Sequence, residues 1–306
     1  MQEMRQFSVK QNDGYITEVT CFPSENTPKA SILILHGMAE HKKRYYAFAE
    51  YLAEKGFDVY IYNHRGHGTD KKIKELGFFA SKNGYQFVTE DAITVSKYIK
   101  NNNQCNRLIL MGHSMGSLIA RNVIQTYDAY DGIILSGTTL PAKLLTFVGL
   151  IISALISKMK GPKHISPFLN HLMFGGKKYL KLSERTAYDW LSRSYTAVGA
   201  YIHDPYCGFI CTASFYHDLL KFVWNASNKK LIQKTRRDIP IYIISGDKDP
   251  VSSYGKEIKK YLNLLGKLNF SDVTHRLYPD CRHELINELN KDEVYLDIYQ
   301  WLEKII

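Results

Sequence analysis

Gly112-His113-Ser114-Met115-Gly116 reads G-x-S-x-G. In this pattern a serine stands on a tight turn from strand to helix, and the flanking glycines are needed because a Cβ at either place would strike neighbouring backbone. The pattern alone recurs by chance. Here an apolar strand-like run, RLILM (107–111), leads into it and a helix-like run, SMGSLIARNVIQ (114–125), leads out. Ser114 is therefore the candidate nucleophile. A serine hydroxyl needs a base, and the base needs an orienting carboxylate. Downstream, IPIYIISGDKDPVS places acids directly after a strand, and VTHRLYPDCRHE places a histidine after the last one. Both positions follow strand carboxyl ends, where ligands collect in open α/β sheets. Asp249, deeper in its loop and stiffened by Pro250, is preferred as the carboxylate over Asp247, which reads as a turn residue. His283 is preferred as the base over His275, which sits at the start of its strand and so at the wrong end of the sheet. The developing oxyanion needs two backbone N–H donors. Met115, after the nucleophile, supplies one, and Met38, in the loop after SILIL (31–35), supplies the other.

These residues need a scaffold that brings strand ends together. FSVKQNDGYITEVTCF reads as a hairpin turning at Asn12-Asp13-Gly14. Buried-strand runs follow at 31–35, 58–62, 107–111, 132–135 and 241–244. Between them lie helical spacings: Tyr45, Phe48, Ala49 and Leu52, closed by Gly56, then Val88, Ala92, Val95 and Ile99. A last helix carries Tyr295, Ile298, Leu302 and Ile305 on one face. This alternation predicts an α/β fold with a mainly parallel sheet. It breaks over 138–237, which holds helical spacings and aromatics but no convincing strand, so the expected division is core 1–137, helical cap 138–237 and core 238–306.

At 45% hydrophobic, 306 residues can bury one large core plus an insertion. The net charge of +10 comes without a concentrated Lys/Arg block or a nucleic-acid-binding motif. It reads as a solvated basic surface with, at most, weak attraction to anionic lipid, and no nucleic acid partner is expected. The opening residues lack the apolar stretch of a signal peptide, and the longest apolar run, 144–157, is shorter than the roughly 20 residues of a spanning helix. The five cysteines are scattered, so a cytoplasmic protein is expected. His36, His64 and His67 lack metal-site spacing and read as loop structure, and Cys207, Cys211 and Cys281 read as packing residues, so no metal is expected. The apolar stretch 144–156 reads as a cap helix over the site. Ile151 and Leu155 are expected to meet substrate, and the outer face, followed by Lys158, Lys160 and Lys163, suits weak peripheral membrane contact.

HGMAEHKKRY, NHRGHG, GHSMGS, SGDKDP and CRHELINE resemble, in order, motifs of the monoacylglycerol lipase and lysophospholipase branch of the α/β-hydrolases, within the serine aminopeptidase S33-type hydrolases. TAYDWLSR and YIHDPYCGF look like cap phrases of bacterial members. The resemblance implies an α/β-hydrolase fold, an ester substrate with its acyl chain under the cap, and neither metal nor cofactor. In the lipase, the Glu and Arg of the first motif hold glycerol hydroxyls; here they fall on Glu40 and Arg44, which equally suit loop packing or a structural ion pair. The chain departs from the pattern at Asn63, where Asp is common, and at Met38, where the lipase has a smaller residue. The expected activity is hydrolysis of a monoacylglycerol, a lysophospholipid or a similar ester of medium-to-long acyl chain. A proline-iminopeptidase-like peptidase and a non-enzymatic binding protein are the alternatives. Acyl length, head group and oligomeric state are not set by these residues.

Overall fold

A computed structural model describes residues 3–103 and 105–306. Eight strands form one sheet in the order β1-β2-β4-β3-β5-β6-β7-β8. They are β1 (Arg5–Lys10), β2 (Ile16–Phe22), β3 (Ala30–Leu35), β4 (Phe57–Tyr62), β5 (Leu108–His113), β6 (Gly132–Ser136), β7 (Ile241–Gly246) and β8 (Val273–Tyr278). The first two pair antiparallel and β2 runs antiparallel to β4, while every pairing from β4 to β8 is parallel. Strands β3 to β7 are buried along their whole length, which is why they read as unbroken apolar runs rather than alternating ones.

Alternate side chains still divide between two cores, as the pleat requires. On β5, Leu108 and Leu110 face one layer and Ile109 and Met111 the other. The first layer holds α2 (Gly84–Asn102), α3 (Met115–Val123) and α10 (Lys256–Lys267); the second holds α1 (Tyr46–Glu54) and α11 (Lys291–Ile305). Sequence reading does not single out α10, although Ile258, Tyr261 and Leu265 are buried on one of its faces.

Between β6 and β7 the chain forms only helices and one isolated bridge, Ile165 to Thr212. The helices are α4 (Lys143–Lys160), α5 (Pro167–Phe174), α6 (Lys177–Leu180), α7 (Tyr195–His203), α8 (Ala213–Ala226) and α9 (Lys229–Ile232). Ser166, Ser194 and Thr212 cap α5, α7 and α8 by accepting bonds from Leu169, Ala197 and Phe215 N–H. Helix α4 packs along α8, burying Thr146, Leu150 and Ser153. Arg121 of α3, fully buried, ties the segment before α4 and the last residue of α8 to the sheet domain: its guanidinium donates to Thr139 O (2.7 Å) and Ala226 O (2.6 Å). No helix among the described residues is long and apolar enough to cross a membrane.

Candidate active site

Ser114 stands between β5 and α3 at φ 52° and ψ −116°, backbone space that L residues rarely occupy and that costs about 1–3 kcal/mol. The turn closes only because two neighbours lack side chains. A Cβ at Gly112 would strike Gly116 O, and one at Gly116 would strike Leu35 O at the end of β3. Ser114 N–H is held by Ser136 O at 2.9 Å.

The carboxyl ends of β7 and β8 bring the partners. His283 Nδ1 lies 3.0 Å from Asp249 Oδ2. Asp249 is fully buried; its other oxygen accepts Val251 N–H at 2.8 Å, and the Ser245 hydroxyl reaches Oδ2 at 3.3 Å. Burial alone would push the His283 imidazole down; the Asp249 carboxylate overrides this and raises it. Asp247 stays at the turn after β7, 3.6 Å from Lys248 Nζ, and His275 is exposed on the edge strand β8. Gly137, in the loop after β6, holds φ +59° and sits so close to the His283 ring that a Cβ there would meet it at 2.9 Å.

The loop after β3 carries Met38, and three histidines brace it. His67 Nε2 accepts Ala39 N–H (3.2 Å), His36 Nε2 accepts His64 N–H (3.0 Å), and His64 Nε2 lies 3.2 Å from His36 O. Burial pushes all three imidazoles down, His36 and His67 to about 3, so they are neutral and each ring can accept as well as donate. They are loop structure, as their spacing suggested. Among the described residues the N–H groups of Met38 and Met115 have no protein acceptor. Two unpaired donors beside a serine hydroxyl can bind a developing oxyanion.

Glu40 and Arg44 lie in a buried ion-pair network with Glu284, which sequence reading missed. Arg44 donates to both oxygens of Glu284 (2.7 and 2.6 Å) and to Glu40 Oε2 (2.5 Å), and its guanidinium lies 4.8 Å from the Tyr201 ring. Burial would raise the Glu284 carboxyl, but Arg44 holds it at about 2. Glu40 Oε1 accepts Gly37 N–H (2.6 Å) and Tyr45 OH (2.7 Å). Glu40 borders the cavity described next; Arg44 does not.

A cavity of about 360 Å³ holds Ser114, His283, Met38 and Glu40 at its base. The insertion supplies its walls, chiefly Phe174, Tyr179, Tyr188, Trp190, Tyr201 and Phe209. These walls are bonded to the loops that carry Met38 and His283. His283 N–H donates to Trp190 O (3.3 Å) and Glu284 N–H to Leu191 O (2.7 Å), while Gly208 N–H and Tyr201 OH both donate to Ala39 O (2.9 and 3.0 Å). Ile151 and Leu155, expected to meet substrate, do not line the cavity. They are 46% and 53% exposed on the outer side of α4, because the helix turns Thr146, Leu150 and Ser153 towards α8. Cys207, which reads as a packing residue, is buried and meets His41 and Asp204, with donor atoms within 4.8 Å; His41 Nε2 is taken by Asp204 Oδ2 at 2.8 Å.

Residues 26–290 match the family model described as "Serine aminopeptidase, S33". The chain is 25% identical over 286 residues to a monoacylglycerol lipase of Mycolicibacterium smegmatis, spanning 91% of this chain and 89% of that one. It is 25% identical over 294 residues to a monoglyceride lipase of Mus musculus, spanning 95% and 88%. Its structure superposes on a carboxyl esterase from Bacillus coagulans, solved in complex with glycerol, with TM-score 0.90, 26% identity and coverage of 100% and 99%. The chain belongs to the serine aminopeptidase S33 family of α/β-hydrolases, in its monoacylglycerol lipase-like branch, and is an ester-hydrolysing serine hydrolase.

Proposed function

We propose that Ser114, His283 and Asp249 form a catalytic triad that hydrolyses monoacylglycerols or similar esters of medium-to-long acyl chain. The observation that carries this reading is the composition of one cavity: a serine, a carboxylate-paired histidine and free N–H donors at the base, aromatic walls above. Ser114 Oγ attacks the ester carbonyl as His283 Nε2 takes its proton. The Met38 and Met115 N–H groups bind the oxyanion. His283 then protonates the leaving alkoxide, and a water, deprotonated by the same histidine, releases the acid from Ser114. Glu40, through Gly37 N–H, positions the oxyanion loop rather than a substrate hydroxyl.

An aminopeptidase would need a free carboxylate for the substrate amine. The acids bordering this cavity are Glu40 and Glu284, and both are committed to Arg44. That favours a neutral ester over a peptide. Segment 138–237 serves as the cap. The outer side of α4, with Leu144, Leu145, Phe147, Ile151 and Leu155 exposed beside Lys158 and Lys160, supports weak contact with a membrane surface. The five free cysteines support a cytoplasmic location.

A panel of p-nitrophenyl esters and monoacylglycerols of graded length tests the substrate class. Each buried methylene contributes about 0.8 kcal/mol, so kcat/KM should climb about fourfold per carbon until the cavity is full. Phe174→Ser should flatten that climb and spare acetate esters, whereas Ile151→Ser should leave monomeric esters of every length unchanged. A flat series in the wild type would make this a short-chain esterase.

The pH profile tests the base. The imidazolium of His283 cannot accept the Ser114 proton, and its pKa lies above the ordinary 6.5. kcat/KM should therefore fall on the acid side with an inflection above pH 6.5. An inflection well below 6.5 would remove His283 from the role.

A further inference from the structure

Away from the catalytic cavity, a second cavity of about 410 Å³ lies where the insertion joins the sheet domain. Three segments build it: residues 140–143, leading from β6 into α4; Ser227 and Lys229, between α8 and the start of α9; and Lys260, Asn263, Leu264 and Lys267 of α10. Its chemistry is one-sided. Lys143, Lys229, Lys260 and Lys267 surround it, and no acid among the described residues lines it. Among the described residues, the lysines that pair with carboxylates lie elsewhere, at Lys29, Lys71 and Lys248. The acid closest in sequence, Glu257, does not itself line the cavity but lies behind its wall, held by the Thr139 hydroxyl, the N–H of the lining residue Leu140 (2.9 Å) and the Ser253 hydroxyl (2.8 Å).

Two further observations mark the cavity as a place for a ligand. Ser227 is only 7% exposed, and its hydroxyl, buried at this wall, has no hydrogen-bond partner among the described residues. Buried hydroxyls are almost always satisfied, so an orphan calls for a missing partner. The eighteen-residue helix α4 begins here, with Lys143 as its first residue, no side-chain cap and no acid in its first turn. Its leading N–H groups and the positive end of its dipole therefore lack a local anion.

We propose that this cavity binds a phosphoryl group, as free phosphate, a phosphomonoester or the phosphodiester of a lipid headgroup. Four ammoniums, a hydroxyl donor and a helix N-terminus match an anion with several oxygens and more than one face to contact better than a single carboxylate. A group seated there would join the start of α4 and the end of α8 to α10, and so clamp the insertion to the sheet domain at its root.

The test uses the full chain, inorganic phosphate followed by titration calorimetry, and sedimentation with phosphatidylcholine vesicles with or without phosphatidylglycerol. Lys143→Gln/Lys229→Gln/Lys260→Gln removes three charges from the site. Lys10→Gln/Lys74→Gln/Lys304→Gln removes three from exposed lysines elsewhere. Hydrolysis of a soluble acetate ester should be unchanged in both, which checks the fold. Saturable phosphate binding that weakens roughly tenfold or more in the site variant alone, and a fewfold in Ser227→Ala, supports the site. Vesicle binding that requires phosphatidylglycerol and is lost only in the site variant supports it with a lipid headgroup as the source. Phosphate binding lost in the site variant, with vesicle binding equal in both, assigns a soluble phosphate compound. Equal losses in both variants for both probes, or no binding of either probe by the wild type, overturns the proposal and leaves a diffuse basic surface.

Discussion

Ser114→Ala is expected to lower kcat by roughly a millionfold, the size of loss met when a triad serine is removed from enzymes of this kind. A fluorophosphonate should label the wild type on the peptide containing Ser114 and leave the variant unlabelled. The elbow singles out this serine. Its strained φ of 52° persists because Gly112 and Gly116 let β5, α3 and the end of β3 close around it, and the turn carries Ser114 to the base of the cavity. Ser117, three residues on, is fully buried and spends its hydroxyl on Ser114 O at 2.6 Å, so it cannot substitute. Labelling at any other serine would overturn the assignment. KM should change little, since a hydrogen replaces a hydroxyl and the aromatic walls stay as they are.

Asp249→Asn should cost about ten-thousandfold in kcat, with the fold intact. The carboxylate Oδ2, 3.0 Å from His283 Nδ1, keeps the proton on that nitrogen and leaves Nε2 free to accept. An amide there turns its NH2 towards Nδ1, selects the other tautomer and presents Ser114 with an N–H. It also withdraws the charge that holds the His283 pKa up, so whatever activity survives should show its acid limb at lower pH. Asp247→Asn serves as the comparison. Its side chain is 38% exposed and its nearest charge is Lys248 at 3.6 Å, so kcat should change no more than a fewfold. Equal losses in the two variants, or the reverse order, would mean that the acid is misassigned.

What could be read from the residues alone follows from how local each feature is. The elbow is a five-residue pattern whose context lies within a dozen residues on either side, and buried parallel strands announce themselves as apolar runs; both were legible. Preferring His283 to His275 needs only the rule that sites gather at strand carboxyl ends, and preferring Asp249 to Asp247, which follow the same strand, needs only loop depth and the stiffening Pro250. Long-range partners were not legible. Arg44 meets Glu284 across 240 residues, and Trp190 receives His283 N–H, contacts that no spacing encodes. The orientation of α4 failed for a different reason. LLTFVGLIISALI is apolar on more than one side, so its periodicity cannot say which side meets α8, and the small residues Thr146, Gly149 and Ser153 turned out to face that neighbour while Ile151 and Leu155 faced out. Helix α10 carries regular spacing but lies just beyond a loop whose acids dominate the reading of that stretch.

The bonds between Trp190 O and His283 N–H, between Leu191 O and Glu284 N–H, and from Gly208 N–H and Tyr201 OH to Ala39 O make the cavity's aromatic wall and the loops that carry His283 and Met38 one mechanical part. On the proposed assignment of the triad and cap, specificity and turnover are therefore not separable modules in this protein. Grafting a relative's insertion onto this sheet would replace the groups that hold the histidine loop and the oxyanion loop, along with the pocket lining. Evolution or engineering that seeks a new acyl preference has an easier route through side chains pointing into the cavity from α5, such as Phe174, which can change without disturbing those backbone bonds.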